Sequence, residues 1–286
     1  MSVSVQVPAT TSNFGPGFDC LGAALELWNR VTIHRVDGEA PLPEIVADAA
    51  ALFFRRSRVS AFPFRCSVAG DVPRARGLGS SVTVRAGILL ALNQCADQPL
   101  TSSQLCALCA ELEGHPDNAA AAIFGGFTIV NSVTNRIERF DIDPTIKFVL
   151  FIPDFEVKTS EARKVIPSNY PREAVIENLA NVSLIAAAFA SKRYDLLQHA
   201  FADRLHQPYR EPLVPFLPKV LDAATKSGAI GGFLSGSGST IASLTLSDGE
   251  KVAAAMQKAA PEVNSKVLIV GADNTGAKIL PAETVK

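Results

Sequence analysis

Val3-Ser4-Val5-Gln6-Val7 alternates apolar and polar residues with the period of a strand and stops at Pro8. A polar, glycine-bearing loop is expected over residues 10 to 17, and strand character returns from Leu25 to Val36, with Trp28 inside it. Residues 43 to 58 carry helical spacing, and Phe62 to Val68 reads as another strand. Pro73-Arg74-Ala75-Arg76-Gly77-Leu78-Gly79-Ser80-Ser81 follows as a turn, and Val82 to Leu90 reads as a helix. Thr101-Ser102-Ser103-Gln104 has capping-box spacing and opens a helix that ends at Gly114, with Pro116 two residues on. Gly125 to Val130 returns to strand.

Asp141-Ile142-Asp143-Pro144 reads as a domain break. Beyond it, Phe148 to Ile152, Ile230 to Phe233, Ile241 to Leu246 and Lys266 to Gly271 read as strands. Residues 173 to 191 and 194 to 204, Val214 to Ser227 and Glu250 to Ala260 read as helices. No repeat or low-complexity segment interrupts the pattern. It is that of two α+β domains, 1–144 and 145–286.

Hydrophobic residues make up 48% of the 286, enough for a substantial core. With 27 basic and 28 acidic residues the net charge is −1, which gives no reason to expect nucleic acid or an anionic membrane as partner. No apolar run is expected to reach spanning length, and the first residues lack a signal-peptide pattern, so a cytoplasmic location is expected. Five scattered cysteines argue against a disulfide framework. Cys106-x-x-Cys109 lies in a helical pattern with no second pair, so Cys109 is read as core and Cys106 as a flank rather than as a metal or redox pair.

The glycine-rich turn carries the clearest chemistry. Glycine allows a sharp turn and a close approach to its N–H groups, and a helix start adds unpaired donors and the positive end of a dipole. Together these favour an oxyanion, with phosphate the usual guest. The spacing is not that of the common P-loop, and no lysine sits in the loop.

The segment resembles the phosphate loop of the galactokinase, homoserine kinase, mevalonate kinase and phosphomevalonate kinase superfamily, the GHMP kinases. Other stretches resemble its homoserine kinase branch, in family order: Pro8 to Gly22, Glu111-Leu112-Glu113-Gly114-His115-Pro116-Asp117-Asn118, Thr159 to Arg163, Asp203 to Arg210, and Leu234-Ser235-Gly236-Ser237-Gly238-Ser239. There are departures: Val82 and Thr83 stand where the family has small residues, Ser239 stands where it has proline, and Glu44-Ile45-Val46 is the nearest match to its adenine-side stretch.

The resemblance implies a two-domain α+β GHMP kinase fold, with a left-handed βαβ unit in the first domain and a ferredoxin-like second domain. It implies ATP and Mg²⁺ as cofactors and L-homoserine as the small-molecule substrate, phosphorylated on the path to threonine. A homodimer is the expected assembly. Arg74, Arg76, Gly77, Leu78, Gly79, Ser80, Ser81 and Thr83 are the expected nucleotide set. Asn13, Asp19, His115, Arg163 and Arg210 are the expected substrate set, with Thr159 near the reacting hydroxyl. At ~100° per residue Glu111 and Glu113 fall on opposite flanks of one helix, and periodicity does not choose between them as metal ligand. The resemblance favours Glu111, with Ser81 as its hydroxyl partner. Asp19 is the nearest named carboxylate for a catalytic share, and the identity of any general base stays open. Two other readings remain at this point: a GHMP kinase of another small alcohol, and a catalytically silent nucleotide-binding relative.

Overall fold

In a computed structural model, residues 1–38 and 40–281 are described. The first sheet opens with β1 (Ser2–Ser12), which pairs antiparallel with β2 (Leu21–Arg35). The register shifts between Pro8 and Ala9. That irregularity lets a strand run through a proline, so Thr10, Thr11 and Ser12 are strand residues, fully buried, and not the loop their polarity implied.

β2 is the spine. Along its other edge it pairs with β3 (Phe64–Gly70) and then with β4 (Phe127–Asn131), both antiparallel, so β3 and β4 run parallel to each other. Between them come α2 (Ser80–Cys95), α3 (Ser102–Glu113) and α4 (Asp117–Phe124), which with α1 (Glu44–Ser57) bury one face of the sheet. The capping box of α3 forms as the sequence implied. α4 does not follow from turn signals, yet its Asn-Ala-Ala-Ala-Ala run is strongly helix-forming. Cys106 and Cys109 are both buried in this core, Cys106 included, and burial pushes the Cys106 thiol up to about 12.

β5 (Arg136–Phe140) extends the first sheet beyond β4. The second sheet contains β6 (Lys147–Pro153), β7 (Gly231–Leu234), β8 (Ile241–Thr245) and β9 (Ser265–Val270) in the order β7-β8-β6-β9, all antiparallel. In chain order that is 2-3-1-4, the ferredoxin-like arrangement. Short α5 (Thr159–Lys164), α6 (Arg172–Ser191), short α7 (Gln207–Arg210) and α8 (Leu217–Lys226) lie between β6 and β7, and α9 (Gly249–Ala259) joins β8 to β9. The helix expected over 194 to 204 shrinks to a 3₁₀ turn at Tyr194–Leu197, broken by His199 at φ 66. Finally β10 (Lys278–Leu280) leaves the second half and pairs with β1.

A shared core joins the halves. Phe14 stacks on Phe233 at 4.7 Å and meets Phe127, Phe148 and Phe189 edge-on. α6 adds Ile185, Ala188 and Phe189 to it. Contrary to expectation, α6 is long and apolar enough to cross a membrane by length and composition. Its Arg172, Glu173 and Glu177 and its face turned to the shared core support its reading as a packed helix.

Candidate active site

Three chain segments meet where the two sheets abut. The turn after β1 is held open by residues in the left-handed region: Asn13 (φ 73), Phe14 (φ 47) and Asp19 (φ 56). Such backbone persists only where surroundings over-determine it, and here the aromatic core clamps Phe14. Asn13 Nδ2 donates to Gly236 O at 3.0 Å, and Asn13 Oδ1 accepts from Asp19 N at 3.2 Å.

The glycine-rich turn docks on the same place. Gly79 caps α2 in the left-handed conformation (φ 66), with no side chain satisfying the first N–H groups of the helix. A Cβ on Gly77 would lie 2.1 Å from Ser235 O, so the C-terminal glycine segment packs directly against this turn. Ser235 Oγ donates to Gly77 O at 2.6 Å and accepts from Thr11. Thr10 Oγ1 donates to Asn118 Oδ1 at 2.7 Å, and Asn118 Nδ2 donates to Ser12 Oγ at 2.9 Å.

These segments surround a cavity of about 810 Å³. Ile45, Val46, Val68 and Val84 give part of its wall an apolar surface, and Gly77, Gly79, Ser80 and Ser81 line it as well. Asn13, Asp19, His115, Thr159, Arg163 and Arg210, the residues the resemblance names for substrate and acceptor hydroxyl, line it too. Arg163 holds Asp19 through both terminal nitrogens. Arg210 is buried, donating from Nη1 to Gly236 O at 2.9 Å and from Nε to Ala162 O at 3.1 Å. Burial, with Arg163 adding, pulls Arg210 down to about 10. His206 lies below it: Nε2 donates to Gly15 O at 2.8 Å, which leaves Nδ1 to accept from Arg210 at 3.2 Å. Burial pushes His206 down to about 4, with Asp203 opposing and Arg210 adding, so the imidazole is neutral.

His115 Nδ1 lies 2.7 Å from Asp117 Oδ1. Burial opposes charge on His115, but the Asp117 carboxylate outweighs it and the imidazole is raised above its ordinary value. Burial likewise opposes charge on Asp117, but His115, the Asn118 N–H and Ser12 together hold its carboxyl below the ordinary value.

Two expectations need correction. Glu111 is not beside Ser81: it lies on the outer flank of α3, paired with Arg56 at 2.7 Å, while Ser81 Oγ donates to Glu113 Oε2 at 2.8 Å. Rotation along α3 turns only one of the two carboxylates toward the start of α2. Thr83 is fully buried, its hydroxyl donating to Ser80 O and accepting from Asn29 Nδ2, and so it is not a cavity residue. The Leu78 side chain packs in the shared core and its carbonyl accepts from Thr10 N at 3.2 Å, so its place in the expected nucleotide set rests on its backbone N–H. Arg74 and Arg76 both line the cavity, and Arg76 also donates from Nε to Pro153 O at 2.9 Å and pairs with Asp154, which ties the turn to the second half.

Sequence reasoning also passed over Asp117, Asn118, Ser237 and Arg85. A carboxylate two residues after His115 was the available signal for Asp117. Ser239 sits where proline was expected and donates its hydroxyl to Phe155 O at 2.7 Å, a contact proline cannot make.

Comparison with known proteins decides the family. The model of the GHMP kinases N terminal domain matches residues 44–126, and that of the GHMP kinases C terminal matches 185–262. A homoserine kinase of Microchaete diplosiphon is 38% identical, over 98% of this chain and 97% of that protein. The chain belongs to the homoserine kinase family of GHMP kinases. A homoserine kinase of Caldicellulosiruptor bescii is 33% identical over 99% of this chain and 98% of its own. The crystal structure of homoserine kinase from Cytophaga hutchinsonii superposes with a TM-score of 0.89 at 25% identity, covering 98% of this chain and 97% of that one. A mevalonate kinase crystal structure shares the fold, with a TM-score of 0.71 at 13% identity, covering 95% and 99% of the two chains. A member of this kinase family is a phosphotransferase with ATP as its phosphoryl donor.

Proposed function

We propose that this chain transfers the γ-phosphoryl group of ATP to the side-chain hydroxyl of L-homoserine, giving O-phospho-L-homoserine on the path to threonine. The observation that carries the reading is the convergence of Arg163, Arg210 and Asp19 on the cavity that the uncapped start of α2 also lines. A small zwitterion is the complement of such a set. Arg163 and Arg210 would take its carboxylate with planar forks, and Asp19 and Asn13 would accept from its ammonium. The full-length relatives that bear the name homoserine kinase support the same substrate.

The triphosphate would lie on the N–H groups of Gly77 to Ser81, with Arg74 at the mouth and the base against Ile45, Val46, Val68 and Val84. Ser81 and Glu113 are hard oxygen donors 2.8 Å apart, a set that fits Mg²⁺. When bound there, Mg²⁺ would offset charge on the phosphates. The Thr159 and Ser237 hydroxyls, 3.5 Å apart, are polar partners for the acceptor hydroxyl. Asp19 already accepts from Arg163 on both oxygens, so we assign it to binding and leave the departing proton to the transferred phosphoryl oxygens.

The boundary at 144 marks the start of the second sheet in this reading, with the chain returning to the first at β10. Balanced charge and a small-molecule substrate support a cytoplasmic enzyme without nucleic-acid or membrane partners. Exposed Ile176, Leu179 and Leu184 on α6 support a homodimer. The deciding experiment is ADP release with L-homoserine, D-homoserine, mevalonate, galactose and L-serine side by side. Selective turnover of L-homoserine is expected. Preference for another alcohol, or no turnover of any, overturns the reading.

A further inference from the structure

Glu113 closes α3 with only 6% of its side chain exposed, and each carboxylate oxygen has its own partner. Ser81 Oγ donates to Oε2 at 2.8 Å, and Arg85 Nη1 donates to Oε1 at 2.6 Å. Ser81 and Arg85 are one helical turn apart on α2, so both meet the end of α3 from the same face. Among the described residues Glu113 is the one ion-pair partner of Arg85, whose Nε is buried without a hydrogen-bond partner. The guanidinium is therefore committed to this one carboxylate oxygen.

We infer that Arg85 is a positioning residue that sets metal selectivity: by occupying Oε1 it leaves Glu113 one oxygen for a cation and so favours Mg²⁺ over Ca²⁺. The inference rests on the proposed reading in which Ser81 and Glu113 hold the divalent cation of the nucleotide. Mg²⁺ demands compact octahedral geometry, keeps several waters and is satisfied by one carboxylate oxygen. Ca²⁺ takes more oxygens at longer range and commonly uses both oxygens of a carboxylate. Two-oxygen binding at Glu113 requires breaking the charge-assisted bond from Arg85. One-oxygen binding through Oε2 does not. It needs only that the Ser81 hydroxyl rotate its proton away and present a lone pair. The positive charge of Arg85 weakens binding of both ions alike, so the preference comes from the occupied oxygen and not from repulsion.

The test is calorimetric titration of Mg²⁺ and of Ca²⁺ into the full chain saturated with a non-hydrolysable ATP analogue, corrected for metal bound by free analogue. In Arg85→Gln the preference for Mg²⁺ should fall by about tenfold, the scale of one charge-assisted hydrogen bond, while both affinities rise. An unchanged ratio in a folded Arg85→Gln overturns the inference. If that variant does not fold, Arg85→Lys carries the test, since the shorter lysine side chain reaches Oε1 less well than Arg85 Nη1 does. A fall of about threefold is then expected, and no fall overturns the inference. Glu113→Gln should lose the preference altogether. If it binds both ions like wild type, the cation sits elsewhere and the role of Arg85 falls. Homoserine turnover by the wild type would still stand or fall independently.

Discussion

Arg163 Nη1 donates to Asp19 Oδ2 at 2.9 Å and Nη2 donates to Oδ1 at 2.7 Å, an ion pair that joins the turn after β1 to α5 across the cavity. The two groups are the mirror of a zwitterion, so substrate would exchange its own charges into a pair that is already matched. Arg163→Leu should raise the KM for homoserine and leave ATP affinity near wild type. Loss of a partner from a desolvated carboxylate costs roughly 2–5 kcal/mol, about 30-fold or more in kcat/KM. Arg163 is 37% exposed, so the melting temperature should barely move. Arg210→Leu should raise KM similarly but also lower the melting temperature, because Ala162 O loses the Arg210 Nε donor and Gly236 O is left with Asn13 alone. Wild-type homoserine kinetics in both variants would place the carboxylate elsewhere.

The two glutamates of α3 should separate cleanly. Glu113→Gln is expected to lower kcat on the order of 100-fold, as for loss of a group that stabilises transition-state charge. Glu111→Gln, which breaks only exposed contacts to Arg55 and Arg56, should leave kcat near wild type and stability within about 0.5 kcal/mol. Steady-state kinetics across a magnesium series, with melting curves, tests both. The greater loss in Glu111→Gln would reverse the assignment.

Gly79 admits no side chain. A Cβ there would sit 2.0 Å from Thr10 Oγ1, at φ +66. Gly79→Ala should therefore displace Thr10, break its bond to Asn118 and destabilise the fold by about 1–3 kcal/mol. It should also weaken nucleotide binding, since the start of α2 moves with it. Thr83→Val is the contrast: it removes a buried hydroxyl between Ser80 and Asn29, and should cost stability while sparing nucleotide affinity. Calorimetry with the ATP analogue and thermal melts distinguishes the two outcomes.

Acid should find His206 first. Its folded-state value of about 4 lies below the ordinary 6.5, because burial disfavours the charged ring. Between those two values the unfolded chain holds a proton that the folded chain does not. Stability is thus complete above about pH 6.5 and is lost as pH falls toward 4, by about 3 kcal/mol. His206→Gln should flatten that slope in urea melts taken across the window. His115 acts in the other sense: its raised value makes its contribution complete below 6.5 and lost as pH rises through the folded value. A slope unchanged by His206→Gln would mean that another group titrates there.

Most of the regular elements were legible because their signals are local: alternation in Val3 to Val7, the capping box at Thr101, the apolar strand from Phe148. The site residues were legible through the resemblance of their motifs to the GHMP kinases, whereas Arg163 read as a residue type alone is one more surface charge. What escaped depends on distant partners. Thr10 to Ser12 look like loop until Asn118 and Ser235 are brought to them. Glu111 and Glu113 differ only in which flank of α3 faces α2, and one helix does not reveal its neighbour. Arg85 reads as a charge stranded in an apolar helix until Glu113 arrives from 28 residues away. β10, three residues long, has no periodicity to read.

That short strand governs when the molecule can be finished. Ser4 pairs with Leu280, so the free edge of β1 waits for residues made at the far end of the chain. At the usual ~5–20 residues per second of synthesis, the wait lasts on the order of tens of seconds. Throughout it, a nascent β1 offers unpaired backbone groups to any other strand that drifts past. The ribosome-bound intermediate is thus the stage most exposed to misassembly, and chaperone demand should peak just before residue 280 emerges.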